Sequence, residues 1–313
     1  MGFLAGWTYR KKITIAGATG AGTNYQVLLL IGESSGASGY NFHLEGKSAN
    51  FPSGKDAGGD LRFTASDGTT LLDFWIESVS GTTPNRLAKT WVEVSANLGS
   101  NKDIYCYWGN SGASNASNGV NTFLFFDDFS GSSLDTNKWT VLKGTPSVGN
   151  GTLTLLNAAI KSNDTFGVSI ASRSYLRLPS ARGSTDDYGG EHGFSATEGA
   201  TIRAVIHSYV PTAWYATVDN LAGSSMGVGY DTSFHIHEIK RTSAGSNQFR
   251  IDNVGIDKTR SDTLPAYLDG YPNIGLECDW HLIRKFNDTE PTFSSAGALE
   301  TFNLGAMLLM FLG

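Results

Sequence analysis

Phe123–Trp139, FLFFDDFSGSSLDTNKW, decides the fold. Four aromatic rings, Phe125, Phe126, Phe129 and Trp139, flank two adjacent aspartates and a Gly131-Ser132-Ser133 turn. Aromatic residues gathered on both sides of a tight turn read as the staple that opens a β-sandwich. On the N-terminal side, short apolar runs alternate with turn residues: WTYRKKITI at Trp7–Ile15, NYQVLLLI at Asn24–Ile31, DLRF at Asp60–Phe63, TLLDFWIE at Thr70–Glu77, AKTWVEV at Ala88–Val94 and DIYCYW at Asp103–Trp108. In TLLDFWIE, Leu72, Phe74 and Ile76 share one face and Leu71, Asp73, Trp75 and Glu77 the other, which predicts a half-solvated antiparallel sheet. C-terminal to the stretch, eight further strand candidates follow at jelly-roll spacing: Gly151–Leu156, Val168–Arg173, Glu191–Ser195, Thr201–His207, Trp214–Val218, Phe234–Arg241, Gln248–Val254 and Asn273–Phe286. The expected fold is all-β: two jelly-roll-type antiparallel β-sandwiches in tandem, residues 1–123 and 124–291, then a short apolar tail, 292–313.

Composition agrees. Charged residues make up 17% of the 313, and there are 38 glycines, the balance of a many-turned β protein. A formal charge of −6 with no basic face argues against nucleic acid as a partner. The opening MGFLAGWTYRKK is too short in its apolar part, and carries its charges too late, for a signal peptide. The longest apolar run, Ala306–Leu312, falls far short of the roughly 20 residues a spanning helix needs. Cys106 and Cys278 fall in different sandwiches and read as buried free thiols rather than a disulfide framework.

The first sandwich carries a recognisable series: W-x-Y-R-K-x-I-x-I at Trp7–Ile15, N-Y-Q-V at Asn24–Val27, D-L-R-F at Asp60–Phe63, F-W-I-E-S at Phe74–Ser78, W-V-E-V at Trp91–Val94, I-Y-x-Y-W-G-N at Ile104–Asn110 and F-F-D-D-F at Phe125–Phe129. Over residues 5–128 it resembles a domain family of uncharacterised function found in archaeal and bacterial surface proteins and in tailed-virus proteins. The resemblance implies no chemistry. It does imply a concanavalin A-like lectin/glucanase sandwich after F-F-D-D-F, and the segment Asp279–Lys285 looks like the last strand of such a domain.

A glucanase of that kind presents two or three acids at alternate positions of one strand, as nucleophile and acid. No Glu-x-Asp-x-x-Glu or Glu-x-Asp-x-Glu pattern occurs, and Glu277-Cys278-Asp279 lacks a third acid, so the expectation is no enzyme. No cofactor is expected unless it is calcium, for which Asp127-Asp128 and Asp186-Asp187 are candidate ligands, set against simple capping of backbone amides. His235 and His237 have a spacing zinc sites use, with His207 a third candidate, set against an ordinary pair on a sheet surface. Trp214-Tyr215 is the candidate glycan platform, because adjacent rings point to opposite sides of a strand and one of them is then free for a sugar face. In the tail, Leu304, Met307, Leu308, Leu309, Met310, Phe311 and Leu312 are candidate assembly residues.

The resulting expectation is a non-catalytic structural or adhesion protein of a virion or extracellular surface, assembling with copies of itself or with surface-layer proteins. The alternative is a glycan-binding lectin-like module, and a more distant one is a glycoside hydrolase with an atypical site.

Overall fold

The computed structural model describes residues 2–55, 59–180, 189–208, 213–219, 223–229 and 231–302. Among them strands dominate, with one four-residue helix, α1 (Gly119–Thr122), capped by the Asn118 side chain. No described helix is long and apolar enough to cross a membrane. The described chain divides into two compact units, one holding residues up to Phe123 and from Thr289 on, the other Leu124–Asp288.

The first unit begins with β1 (Tyr9–Ala16), β2 (Tyr25–Gly32), β3 (Phe42–His43), β4 (Arg62–Thr64), β5 (Leu71–Leu72), β6 (Phe74–Ser80), β7 (Leu87–Val94) and β8 (Lys102–Trp108). One sheet runs β5-β4-β8-β1 and the other β6-β7-β2-β3, antiparallel except for the short β2–β3 pair. Alternation decides which side chains go inside. Ile13 and Ile15 of β1 meet Val27, Leu29 and Ile31 of β2 in one core, each fully or almost fully buried. Each such side chain contributes about 1.5–3 kcal/mol when buried.

The second face of TLLDFWIE departs from expectation. Trp75 and Glu77 are buried, because Phe123 packs its edge against Trp75 at 5.7 Å and against Trp91 at 6.2 Å. Trp91 Nε1 donates to Glu77 Oε2 at 2.8 Å, satisfying both groups.

The second unit contains β9 (Phe125–Asp127), β10 (Trp139–Lys143), β11 (Ser147–Gly149), β12 (Thr152–Leu155), β13 (Ala158–Phe166), β14 (Ile170–Arg177), β15 (Gly190–Ser195), β16 (Arg203–Ser208), β17 (Ala213–Val218), β18 (Ser224–Gly229), β19 (His235–Arg241), β20 (Ser246–Ile251), β21 (Val254–Thr259), β22 (Leu264–Gly270) and β23 (Leu276–Lys285). One sheet runs β10-β13-β22-β15-β16-β17-β18 and the other β11-β12-β23-β14-β19-β20-β21, with β9 added on β23. Both sheets feed one core. The opening staple is real: Trp139 meets Phe125 edge-on at 5.0 Å and stacks on Phe129 at 6.1 Å.

The chain then returns to the first unit as β24 (Thr292–Ala296) and β25 (Glu300–Thr301), both hydrogen-bonded to β1. Residues 292–301, expected within an apolar tail, are therefore largely sheet. Phe293 is what pins them, packing on the first core with its ring stacked on Phe42 at 6.3 Å. Both cysteines are buried and free.

Candidate functional site

Strand register assembles what no single strand carries. On the sheet face turned away from the second core, Tyr215 lies opposite His207, His207 opposite Glu191 and Glu191 opposite Asp269. Asp269 lies opposite Ala159, and Ala159 opposite Lys143. Six residues from six strands thus form one row, with neighbouring Cβ atoms about 4.5–5.5 Å apart. Alternation sends the residues between them, such as Ile160, Leu268, Ile206 and Ala216, into the core.

Each polar member has defined partners. Arg203 Nη1 donates to both Glu191 oxygens at 3.1 Å. The Tyr267 hydroxyl donates to Asp269 Oδ2 at 2.8 Å, while Lys143 Nζ stands 3.3 Å from Oδ1 across the small Ala159. That ammonium also donates to Glu198 Oε2 at 2.8 Å and lies 5.1 Å above the Tyr271 ring. His207 stacks on Tyr215 at 5.9 Å and shares a 2.8 Å hydrogen bond with Thr217 Oγ1.

The two carboxyls form the floor, Glu191 2% and Asp269 0% exposed, and half-buried Lys143, Arg203, Tyr215 and Tyr271 form the rim. Burial pushes the Glu191 carboxyl up to about 7, with Asp269 adding to the rise and Arg203 opposing it. Burial also raises Asp269, against the pull of Tyr267 and Lys143. It lowers the His207 imidazole to about 4, and Arg203 adds to that fall. Near neutral pH the row therefore holds a carboxyl poised between its two forms beside a second carboxyl and a neutral imidazole.

The expected site residues are placed differently. Trp214 is corrected: it is 2% exposed in the core, beside His192 and His237, because it takes the inward position of β17. Its neighbour Tyr215 takes the outward one and joins the row. Asp127 is buried and accepts from Trp139 Nε1 at 2.7 Å and from the Phe129 amide at 2.9 Å, while Asp128 accepts from the Ser130 amide at 3.1 Å. Among the described residues no group of three or more His, Cys, Asp or Glu side chains is arranged to hold a metal ion. Asp186, Asp187, Leu304, Met307, Leu308, Leu309, Met310, Phe311 and Leu312 lie outside the described residues. The histidine pair is also corrected. His235 bridges Asp231 and Asp252 near the surface, His237 is buried in the core, and His207 belongs to the opposite face of the other sheet. Glu277 pairs with Arg177 at 2.8 Å.

Glu191, Asp269, Arg203, Tyr267 and Lys143 escape a search for acids alternating along one strand, because the two carboxyls sit 78 positions apart (269 minus 191). A charged residue closing the apolar run LPAYLDG was the available signal.

The family described as "Domain of unknown function (DUF2341)" matches residues 57–142. No curated protein matches the chain. Among solved structures, the endo-β-1,3-glucanase from Pyrococcus furiosus is 13% identical with a TM-score of 0.41, over 55% of this chain and 95% of its own. A glycosyl hydrolase family 16 protein from Mycobacterium smegmatis is 13% identical with a TM-score of 0.39, over 51% and 99%. The carbohydrate recognition domain of Emp47p is 10% identical with a TM-score of 0.39, over 51% and 93%. Neighbours named as glycan hydrolases overturn the expectation that the chain is not an enzyme, and that exclusion is withdrawn. At these scores the likeness assigns no substrate.

Proposed function

We propose that the second unit binds glycans at the row Lys143–Ala159–Asp269–Glu191–His207–Tyr215. The row itself carries this reading: a stacked aromatic pair continues into a dense set of planar donors and acceptors on one sheet face. A sugar offers an apolar C–H face and a ring of hydroxyls that donate and accept at once. Tyr215 suits the first, and the carboxyl, guanidinium and ammonium groups suit the second. The test is a glycan array with the full chain, followed by calorimetry on any ligand found. Tyr215→Ala is expected to weaken binding about tenfold, near 1.4 kcal/mol, with stability little changed. An empty array, or unchanged affinity in that variant, defeats the proposal.

A hydrolytic reading has its own observation. A carboxyl poised near pH 7 in register with a second one supplies the acid and carboxylate that glycoside hydrolysis uses. Product formation from the bound glycan, abolished in Glu191→Gln while affinity persists, is the expected sign. Binding with no conversion of any array ligand removes it.

A further inference from the structure

Five of the six histidines belong to the second unit, and two of them meet in its core. His192 comes from β15 and His237 from β19, so they approach from opposite sheets, ring centroids 4.5 Å apart at 79°. Trp214 closes the cluster edge-on, 4.7 Å from His237 and 6.2 Å from His192. The two imidazoles are 3% and 1% exposed, and among the described residues none of their four ring nitrogens has a hydrogen-bond partner. The geometry excludes a metal bridging the two rings in a line. Two nitrogen–metal bonds of about 2 Å, with each nitrogen about 1 Å from its ring centre, set the centroids near 6 Å apart.

Among the described residues, the groups that act on the pair offer no countercharge. His281 of β23 acts on His192 from within the core, its Nδ1 bound to Ser174 Oγ at 2.7 Å. His235 acts on His237 from the start of β19, and His207 acts on His192 from beyond the sheet. On the inward face of β19 the buried cation is Arg241, 4.9 Å over the Phe194 ring. The adjacent carboxylates, Glu191 and Glu238, take the outward positions and pair with Arg203 and Arg284. Burial and the neighbouring imidazoles hold both rings in the uncharged form, His192 down to about 3. Protonating them sets like charges against each other between two sheets, with no anion among the described residues to receive them.

We propose that the His192–His237 pair is an acid trigger: below neutral pH it opens the second unit along the contact between β15 and β19, while the first unit stays folded. This stands apart from the glycan reading. The first unit is the internal control, since its one histidine, His43, is half-buried in the sheet β6-β7-β2-β3 and its Nδ1 accepts from the Glu45 amide.

Each histidine that is free to protonate only when unfolded lowers the folded-to-unfolded ratio about tenfold for each pH unit below about 6.5. Amide hydrogen exchange on the full chain, followed by mass spectrometry and corrected for intrinsic rates, reads this directly. Between pH 7 and 5.5, peptides spanning Gly190–Ser195 and His235–Arg241 are expected to lose protection on the order of a hundredfold from this pair, and peptides of the first unit to keep theirs. In His192→Leu/His237→Leu that extra loss disappears. Should the double variant not fold, imidazole NMR on the unaltered chain decides: His235 titrates in the folded protein between pH 8 and 5, and His192 and His237 do not. Titration of either buried ring with the fold intact, or loss of protection in both units together, overturns the proposal.

Discussion

The two units bury ionisable groups on different terms. In the first, the buried Asp, Glu, Lys and Arg side chains among the described residues have partners built around them. Asp60, fully buried, accepts from Ser48 Oγ at 2.5 Å and from the Ala49 and Gly109 amides at 2.7 Å. Buried Lys11 donates to Glu45 and to the His43 carbonyl, and Arg10 to Glu300, the Gly2 carbonyl and the Tyr107 hydroxyl. Among the described residues the buried side-chain atoms left without a partner there are uncharged, Thr90 Oγ1 and Trp108 Nε1. In the second unit, among the described residues, the groups left short include imidazoles in the core: both nitrogens of His192 and of His237, and His281 Nε2. Satisfied buried ions rigidify a fold, whereas partly satisfied ones store free energy that protons or a ligand can release. The first unit reads as a frame and the second as the part that responds.

Breaking the frame is the severest test. Asp60→Asn turns an amide toward the donors that now face a carboxylate, and is expected to cost about 3–5 kcal/mol of first-unit stability by urea denaturation. A loss below about 1 kcal/mol would erase the contrast.

The responding unit is sharpened by Glu191→Gln. A carboxyl raised in the folded state contributes stability that is fully present below its unfolded value near 4.5 and is lost as pH rises toward 7. Moving from pH 5 to pH 8, the variant should therefore gain on the wild type by up to about 3 kcal/mol. This runs opposite to the buried histidines, whose contribution is lost as pH falls, so urea midpoints at both pH values separate the two.

The smallest effect concerns His235. Burial opposes its charge, but hydrogen bonds to Asp252 and Asp231 raise the imidazole above its ordinary value. The stability so gained is complete below about pH 6.5 and fades as pH rises through the raised value. Asp252→Asn should shrink that component by less than about 1 kcal/mol, seen as a smaller stability difference between pH 6 and 8.5. His235 and His237, two residues apart on one strand, would then answer acid in opposite senses.

Most of the fold was legible. Alternation located β1, β2, β7 and β8 nearly to the residue, and the aromatic staple named rings that pack together in the second core. The strands β13 and β22 were not legible, since Lys161-Ser162-Asn163-Asp164 and Pro265 each argue against a strand within a short run. They pair with each other, so one bears the other's irregularity, and together they bring Ala159, Tyr267 and Asp269 to the row. The opposite facing of Trp214 and Tyr215 followed from the period of two. Which of them faced inward did not, because that depends on partners from β16 and β19. The row rests on pairings between strands distant in sequence, which no local pattern encodes.

The chain's return to β1 has a consequence for how the protein is made. The second unit is spliced into the first, whose edge strands β24 and β25 are synthesised after every strand of the inserted one. During translation the inserted unit can finish folding while β1 still presents an unpaired edge, open to misjoining with another nascent chain. Of the two units, the one whose synthesis starts earlier is thus sealed later.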